Sequence, residues 1–146
     1  MQVPRVLMKL FAVYSASALA FLVAVGAAQA DPRGLWLAQD GARVRVTDCG
    51  SGLCGIIASP KSDIDPSTGA SWTDKHNPDP SKRGLPLVGV EVFAMVPDGP
   101  GKWSGSLYNT DNGQTYSGHV VELDNNTIRV EGCVLICGGQ NMRRIK

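Results

Sequence analysis

From residue 34 onward the chain alternates in short period-two runs cut by turn residues, and no 3.6-residue apolar stripe is sustained anywhere in that stretch. Arg43-Val44-Arg45-Val46 shows the pattern at its clearest, with two valines on one face and two arginines on the other. Asp40-Gly41 and Asp111-Asn112-Gly113 are hairpin signals, because the tight turns that match strand twist need positive φ at their centre. Pro97-Asp98-Gly99-Pro100-Gly101 and Asp124-Asn125-Asn126 are further turns. The 17 glycines and 9 prolines rule against a helix bundle, since both residues destabilise helix interiors.

The spacing predicts eight strands: 34–37, 42–47, 53–59, 87–96, 102–109, 114–123, 127–132 and 140–145. The expected fold is all-β, an eight-stranded antiparallel meander closed as a small barrel. Closure removes both sheet edges, and eight strands leave an interior wide enough for side chains or one small ligand. An open β-sandwich is the alternative. Following strand direction puts the connections at 40–41, 60–86, 110–113 and 133–139 at one end, called upper here. The connections at 48–52, 97–101 and 124–126 fall at the lower end.

One connection breaks the rhythm. Residues 60–86 carry five prolines (Pro60, Pro66, Pro78, Pro80 and Pro86) together with Trp72 and His76. Loops this long are uncommon in compact domains unless they serve a purpose. The segment is expected to be a lid or an ordered cap. Asp63, Asp65, Ser67 and Asp74 within it loosely follow a calcium-loop spacing, but Gly69 falls one place late and the last position is Asp; a tight turn is the simpler reading.

The first 30 residues follow another plan. Arg5 and Lys9 precede an uncharged apolar run from Leu10 to Gly26, and Ala28-Gln29-Ala30 forms a small-x-small cleavage site. This is the order of a secretory signal peptide, which predicts a mature domain of residues 31–146 in the periplasm or outside the cell. An uncleaved membrane anchor is the alternative. With Arg5 and Lys9 gone, the formal charge passes from +1 to −1. A balance so near zero argues against a nucleic-acid partner held by charge. No second apolar run follows, so stable membrane insertion after cleavage is not expected.

Cys49 and Cys54 flank one connection, and Cys133 and Cys137 another. The strand layout places the two pairs at opposite barrel ends. A disulfide needs Cα atoms within about 7 Å, so Cys49–Cys54 and Cys133–Cys137 are the expected bonds. A four-cysteine zinc site and a redox-active pair are the alternatives, and an oxidising compartment favours disulfides. No metal or cofactor is assigned. Nor is a catalytic residue: Ser104 and Ser117 lie in Gly-rich strand patterns, His76 lies in a loop, and His119 is expected on a strand face beside Val121. Trp36, Trp72, Trp103, Tyr108 and Tyr116 are the aromatics that could line a ligand pocket, with Trp36, Trp72, Trp103 and Tyr116 the candidates taken for it.

Gly34-x-Trp36 near the start, with Arg143 or Arg144 in the last strand, resembles the lipocalin pattern. There the Trp closes one barrel end and an Arg packs across it. A longer resemblance covers Cys49-Gly50-x-x-Leu53-Cys54-Gly55, Thr73-Asp74-Lys75-x-Asn77-Pro78-Asp79, Arg83-x-x-Pro86-Leu87-x-Gly89, Gly113-x-Thr115-Tyr116 and Gly132-Cys133. In this order the motifs resemble the bacterial family known as domain of unknown function 2147. That resemblance implies a small exported protein with a lipocalin-like barrel. It departs at Met142, where the family pattern has Trp, so packing at that end is expected to differ. It also lends weight to Asp74, Asn77, Asp79 and Arg83 as a shared feature, a binding site or a network of turn hydrogen bonds. A small, partly apolar ligand is expected, with Asp74, Asn77 and Arg83 joining the aromatics as candidate ligand-binding residues. A protein-interaction module with a solid barrel and an enzyme using residues 74–83 are the alternatives.

Overall fold

The computed structural model describes residues 31–146, so the expected signal peptide lies outside the described residues. Ten strands run in chain order: β1 (Gly34–Leu37), β2 (Arg43–Cys49), β3 (Gly52–Ser59), β4 (Ile64–Asp65), β5 (Ala70–Ser71), β6 (Glu91–Pro97), β7 (Lys102–Asn109), β8 (Gln114–Asp124), β9 (Thr127–Cys133) and β10 (Cys137–Arg144). Eight of them form a closed barrel in the order β1-β10-β9-β8-β7-β6-β3-β2, and every pairing is antiparallel. β4 and β5 make a separate two-stranded ribbon inside the 60–86 connection. The open sandwich is thereby excluded.

Most strand limits fall within two residues of expectation, and two starts differ by three or more, each for a local reason. The strand foreseen at 87–96 begins only at Glu91. Ahead of it Gly89 takes φ +93°, and the Val90 N–H donates back to the Leu87 carbonyl at 3.0 Å, closing a turn. The last strand begins at Cys137 rather than 140, because Cys137 pairs directly with Cys133 across the hairpin.

The lower half of the barrel is filled. Trp36, Phe93, Met95, Ile128, Val46 and Val120 are its largest fully buried side chains. β2 shows the expected alternation, with Val44 and Val46 buried and Arg43 and Arg45 exposed. Gly55 faces the Phe93 ring so closely that any Cβ there would overlap it. The bare backbone thus lets the aromatic ring lie flat against the wall.

Trp36 closes the lower end. Its indole Nε1 donates to the Pro32 carbonyl at 2.8 Å, and the Arg144 guanidinium stacks 4.2 Å above the ring. Arg144 also donates to the carbonyls of Asn125 at 2.7 Å and Arg33 at 2.6 Å, and to that of Asp31. One side chain therefore ties the first residues, the β8–β9 turn and the last strand together. A planar guanidinium suits this role, since it can stack and donate in several directions at once. Of the two arginines weighed for the position, Arg144 holds it.

Both expected disulfides are formed, Cys49–Cys54 at the lower end and Cys133–Cys137 at the upper. The four-cysteine metal site is excluded by that pairing and by the ends at which the pairs sit.

Candidate functional site

The upper half of the barrel is not filled. A cup of about 320 Å³ opens there, walled by apolar side chains including Val44, Ile57, Leu107, Val130 and Met142. Gly132, Gly138 and Gly139 also border it, so part of the wall is bare backbone. The rim is polar, with Asp40, Asp111 and Gln140 at the mouth. Turn chemistry places the two carboxylates there: Asp40 accepts from the Ala42 N–H at 3.0 Å, and the Asn109 side chain accepts from the Asp111 N–H at 2.9 Å. Apolar walls with a few convergent polar groups are the usual make-up of a small-molecule site.

A second depression of about 610 Å³ lies where the 60–86 connection meets the barrel flank, bordered by Asp74, Asn77, Leu85, Val88 and Tyr108. Several polar groups at and near it are occupied with one another. Asp74 is 2% exposed, and its carboxylate accepts from the Tyr108 hydroxyl and the Asn77 amide, each at 2.7 Å. Arg83 donates from Nε to the Asn77 carbonyl at 2.7 Å. Asp79 caps the short 3₁₀ turn Pro80–Lys82, accepting from the Ser81 N–H and hydroxyl. The Tyr108–Asp74 bond clamps the connection to β7, and the others brace the connection itself.

The same clamp sets the chemistry of Tyr108. Burial, reinforced by the Asp74 carboxylate, pushes its phenol up to about 12 from 10.0. A raised pKa stabilises the fold below the unfolded value, so this contribution is whole below pH 10.0 and vanishes as pH rises through about 12. In residues 31–146 the tyrosines are Tyr108 and Tyr116. Tyrosinate absorbance should therefore still be rising near pH 12, and Tyr108→Phe should remove that late part of the rise. A single step at the ordinary value in the folded protein would contradict this.

The other sequence candidates are spread over the molecule. Trp72 sits in the 60–86 connection, its Nε1 donating to the Ser62 hydroxyl at 3.1 Å, with the ammonium groups of Lys61 and Lys75 4.9 and 5.6 Å from its ring centroid. Trp103 is half-buried at the lower end and borders a shallow depression with Arg33 and Asp48. The Tyr116 hydroxyl accepts from Asn112 and donates to Gln114. None of Trp36, Trp72, Trp103 and Tyr116 borders the cup. Tyr108 and Phe93 border it with aliphatic residues on β2, β3, β7, β9 and β10, and in sequence nothing marks a valine that faces a void from one that faces a neighbour.

The calcium-like spacing proves to be a turn. Asp65 is 2% exposed and accepts from the Ser67 N–H at 2.9 Å and its hydroxyl at 2.7 Å, while Lys75 Nζ reaches its other oxygen at 2.6 Å. Lys75 foremost, then Ser67, holds this carboxyl down at about 2.

The family pattern described as "Uncharacterized protein conserved in bacteria (DUF2147)" matches residues 34–144, from the first barrel strand to the last. The chain belongs to that family. No curated protein matches it significantly. Among solved structures, this DUF2147 chain is similar to protein HP1028 from the human pathogen Helicobacter pylori, described as belonging to the lipocalin family. The identity is 18% and the TM-score 0.67, over 80% of this chain and 84% of that one. At such identity the likeness is one of fold, and the barrel is lipocalin-like. Among the described residues of the DUF2147 chain, no helix is long and apolar enough to cross a membrane.

Proposed function

We propose that the protein is an exported carrier that binds a small, partly apolar molecule in the upper cup. The cup itself carries this reading: the barrel is filled below and hollow above, in a chain lean enough that every apolar side chain could have been spent on filling it. A lining of Val, Ile, Leu and Met suits an alkyl or alicyclic body. Two rim carboxylates, Asp40 and Asp111, suit a polar end that donates hydrogen bonds or carries positive charge. The signal-peptide pattern in residues 1–30 and the two disulfides support export.

Ala42 lines the cup and is only half-buried, so a larger side chain there enters the void before it strains the core. An environment-sensitive apolar dye should bind the mature chain, and Ala42→Phe should weaken it at least about tenfold, since each 1.4 kcal/mol is a factor of ten. Equal dye binding by the two folded proteins would remove the cup from consideration. Native mass spectrometry of protein drawn from the producing cells should in addition show a bound small molecule.

A second reading rests on a different observation. Val134, Leu135 and Ile136, at the tip between β9 and β10, are 78%, 98% and 85% exposed. Three adjacent aliphatics held out in water favour contact with another protein. Leu135→Asp should abolish such a contact and leave dye binding in the cup unchanged.

A further inference from the structure

The upper disulfide has a neighbour that the lower one lacks. A ring nitrogen of His119 and the sulfurs of Cys133 and Cys137 all lie within 4.8 Å of one another. Among the described residues they form the one trio of His, Cys, Asp or Glu donors close enough to share a cation. Strand register makes the trio: His119 pairs with Glu131, two residues from Cys133, and Cys133 pairs with Ser117 on one side and Cys137 on the other. All three side chains therefore stand on the same outer face of adjacent strands.

The hydrogen-bond directions then fix which way His119 Nδ1 takes part. The Ser104 hydroxyl donates its single proton to the Asp98 carboxylate. Its oxygen, 2.9 Å from His119 Nδ1, can only accept from that nitrogen. Nδ1 therefore carries a proton, and in the neutral imidazole the remaining lone pair is on Nε2. A histidine whose far nitrogen is held by a hydrogen-bonded relay to a carboxylate is the arrangement found behind metal-ligating imidazoles.

We propose that Cys133, Cys137 and His119 form a redox-gated site for a thiophilic cation, Zn²⁺ or Cu⁺, with Ser104 and Asp98 as positioning residues. The disulfide is the closed state. A dithiol reductant opens it: the reductant's two thiols become a disulfide, and the two electrons and two protons appear as the thiols of Cys133 and Cys137. Cation binding releases the thiol protons and joins two thiolates and one imidazole to the metal, with a fourth position open to solvent. The C-x₃-C interval lies in the usual ligand range. Cys137 is exposed, which gives a reductant access to one of the two sulfurs.

The test uses the mature chain with Co²⁺ as a visible probe for Zn²⁺. After reduction it should bind one Co²⁺ with thiolate-to-metal charge-transfer bands, and the oxidised chain should bind none. His119→Ala should weaken binding by more than about 100-fold, and Ser104→Ala by about 10–100-fold, while disulfide formation on reoxidation stays intact. The variant Cys133→Ser/Cys137→Ser should fold and show no bands. Any of four results would overturn the proposal: no binding by the reduced chain, loss of the barrel on reduction, affinity indifferent to His119→Ala, or bands that persist in the double serine variant.

Discussion

Trp36→Ala is expected to lower stability by about 3–5 kcal/mol, the usual cost of removing a fully buried tryptophan. Urea denaturation followed by circular dichroism would measure it. Three losses act together. The ring is completely buried at the lower end, its Nε1 bond to Pro32 goes, and the Arg144 guanidinium loses the surface on which it stacks. Trp36→Phe separates these effects, because it keeps most of the packing and deletes the hydrogen bond. It should cost clearly less than the alanine variant. If both cost under about 1 kcal/mol, Trp36 is not the plug of this barrel.

Asp74→Ala is expected to cost about 2–4 kcal/mol. It leaves the Tyr108 hydroxyl and the Asn77 amide without an acceptor at a site that is almost wholly buried. The loss should also be local. The 60–86 connection is joined to the barrel by this clamp, while the Thr73–Pro86 bridge and the backbone bonds from Asp74 to Leu85 and from Leu87 to Trp72 hold the connection closed on itself. Gly113 closes against the His76 backbone so tightly that any Cβ there would overlap its carbonyl oxygen. Hydrogen exchange should therefore quicken in residues 72–87 before it does so in the barrel strands. Uniform quickening would show that the segment is integral to the barrel rather than docked on it. Asp74→Asn is a useful companion, since its amide can accept one bond but not both, and it should fall between the wild type and the alanine variant.

The two variants differ in kind. Trp36 is a packing residue at the lower end, and its loss should reach every strand. Asp74 is a clamp at the upper end, and its loss should free a flap beside the cup. Under the carrier reading, Asp74→Ala should alter how fast a ligand enters and leaves the cup more than how tightly it is held.

The barrel could be read from the sequence because strand patterns and hairpin turns are local. Asp40-Gly41 and Asp111-Asn112-Gly113 demand particular backbone angles within a few residues, and Val44 and Val46 alternate with Arg43 and Arg45 on the scale of one strand. The disulfide partners followed from the same strand directions. Trp36 and Arg144 were visible as a pair only through a resemblance, because 108 positions separate them and no local rule connects them. The early end of the turn at Gly89 escaped notice, since Leu87 to Val96 is apolar enough to pass for one uninterrupted strand.

The cup, the clamp and the His119 trio were decided by tertiary structure alone. A void is a property of facing walls, so Val44, Leu107, Val130 and Met142 become a lining only when β2, β7, β9 and β10 close round it. Asp74 becomes buried only because Tyr108 comes to it from β7. The relay from Asp98 through Ser104 to His119 exists because β7 and β8 pair in one register, and a slip of one residue would turn His119 to the other face. By itself the sequence determined which residues form strands and where they turn. Which side chains meet, and where space is left between them, depends on contacts between distant strands, and only closure of the barrel makes those contacts.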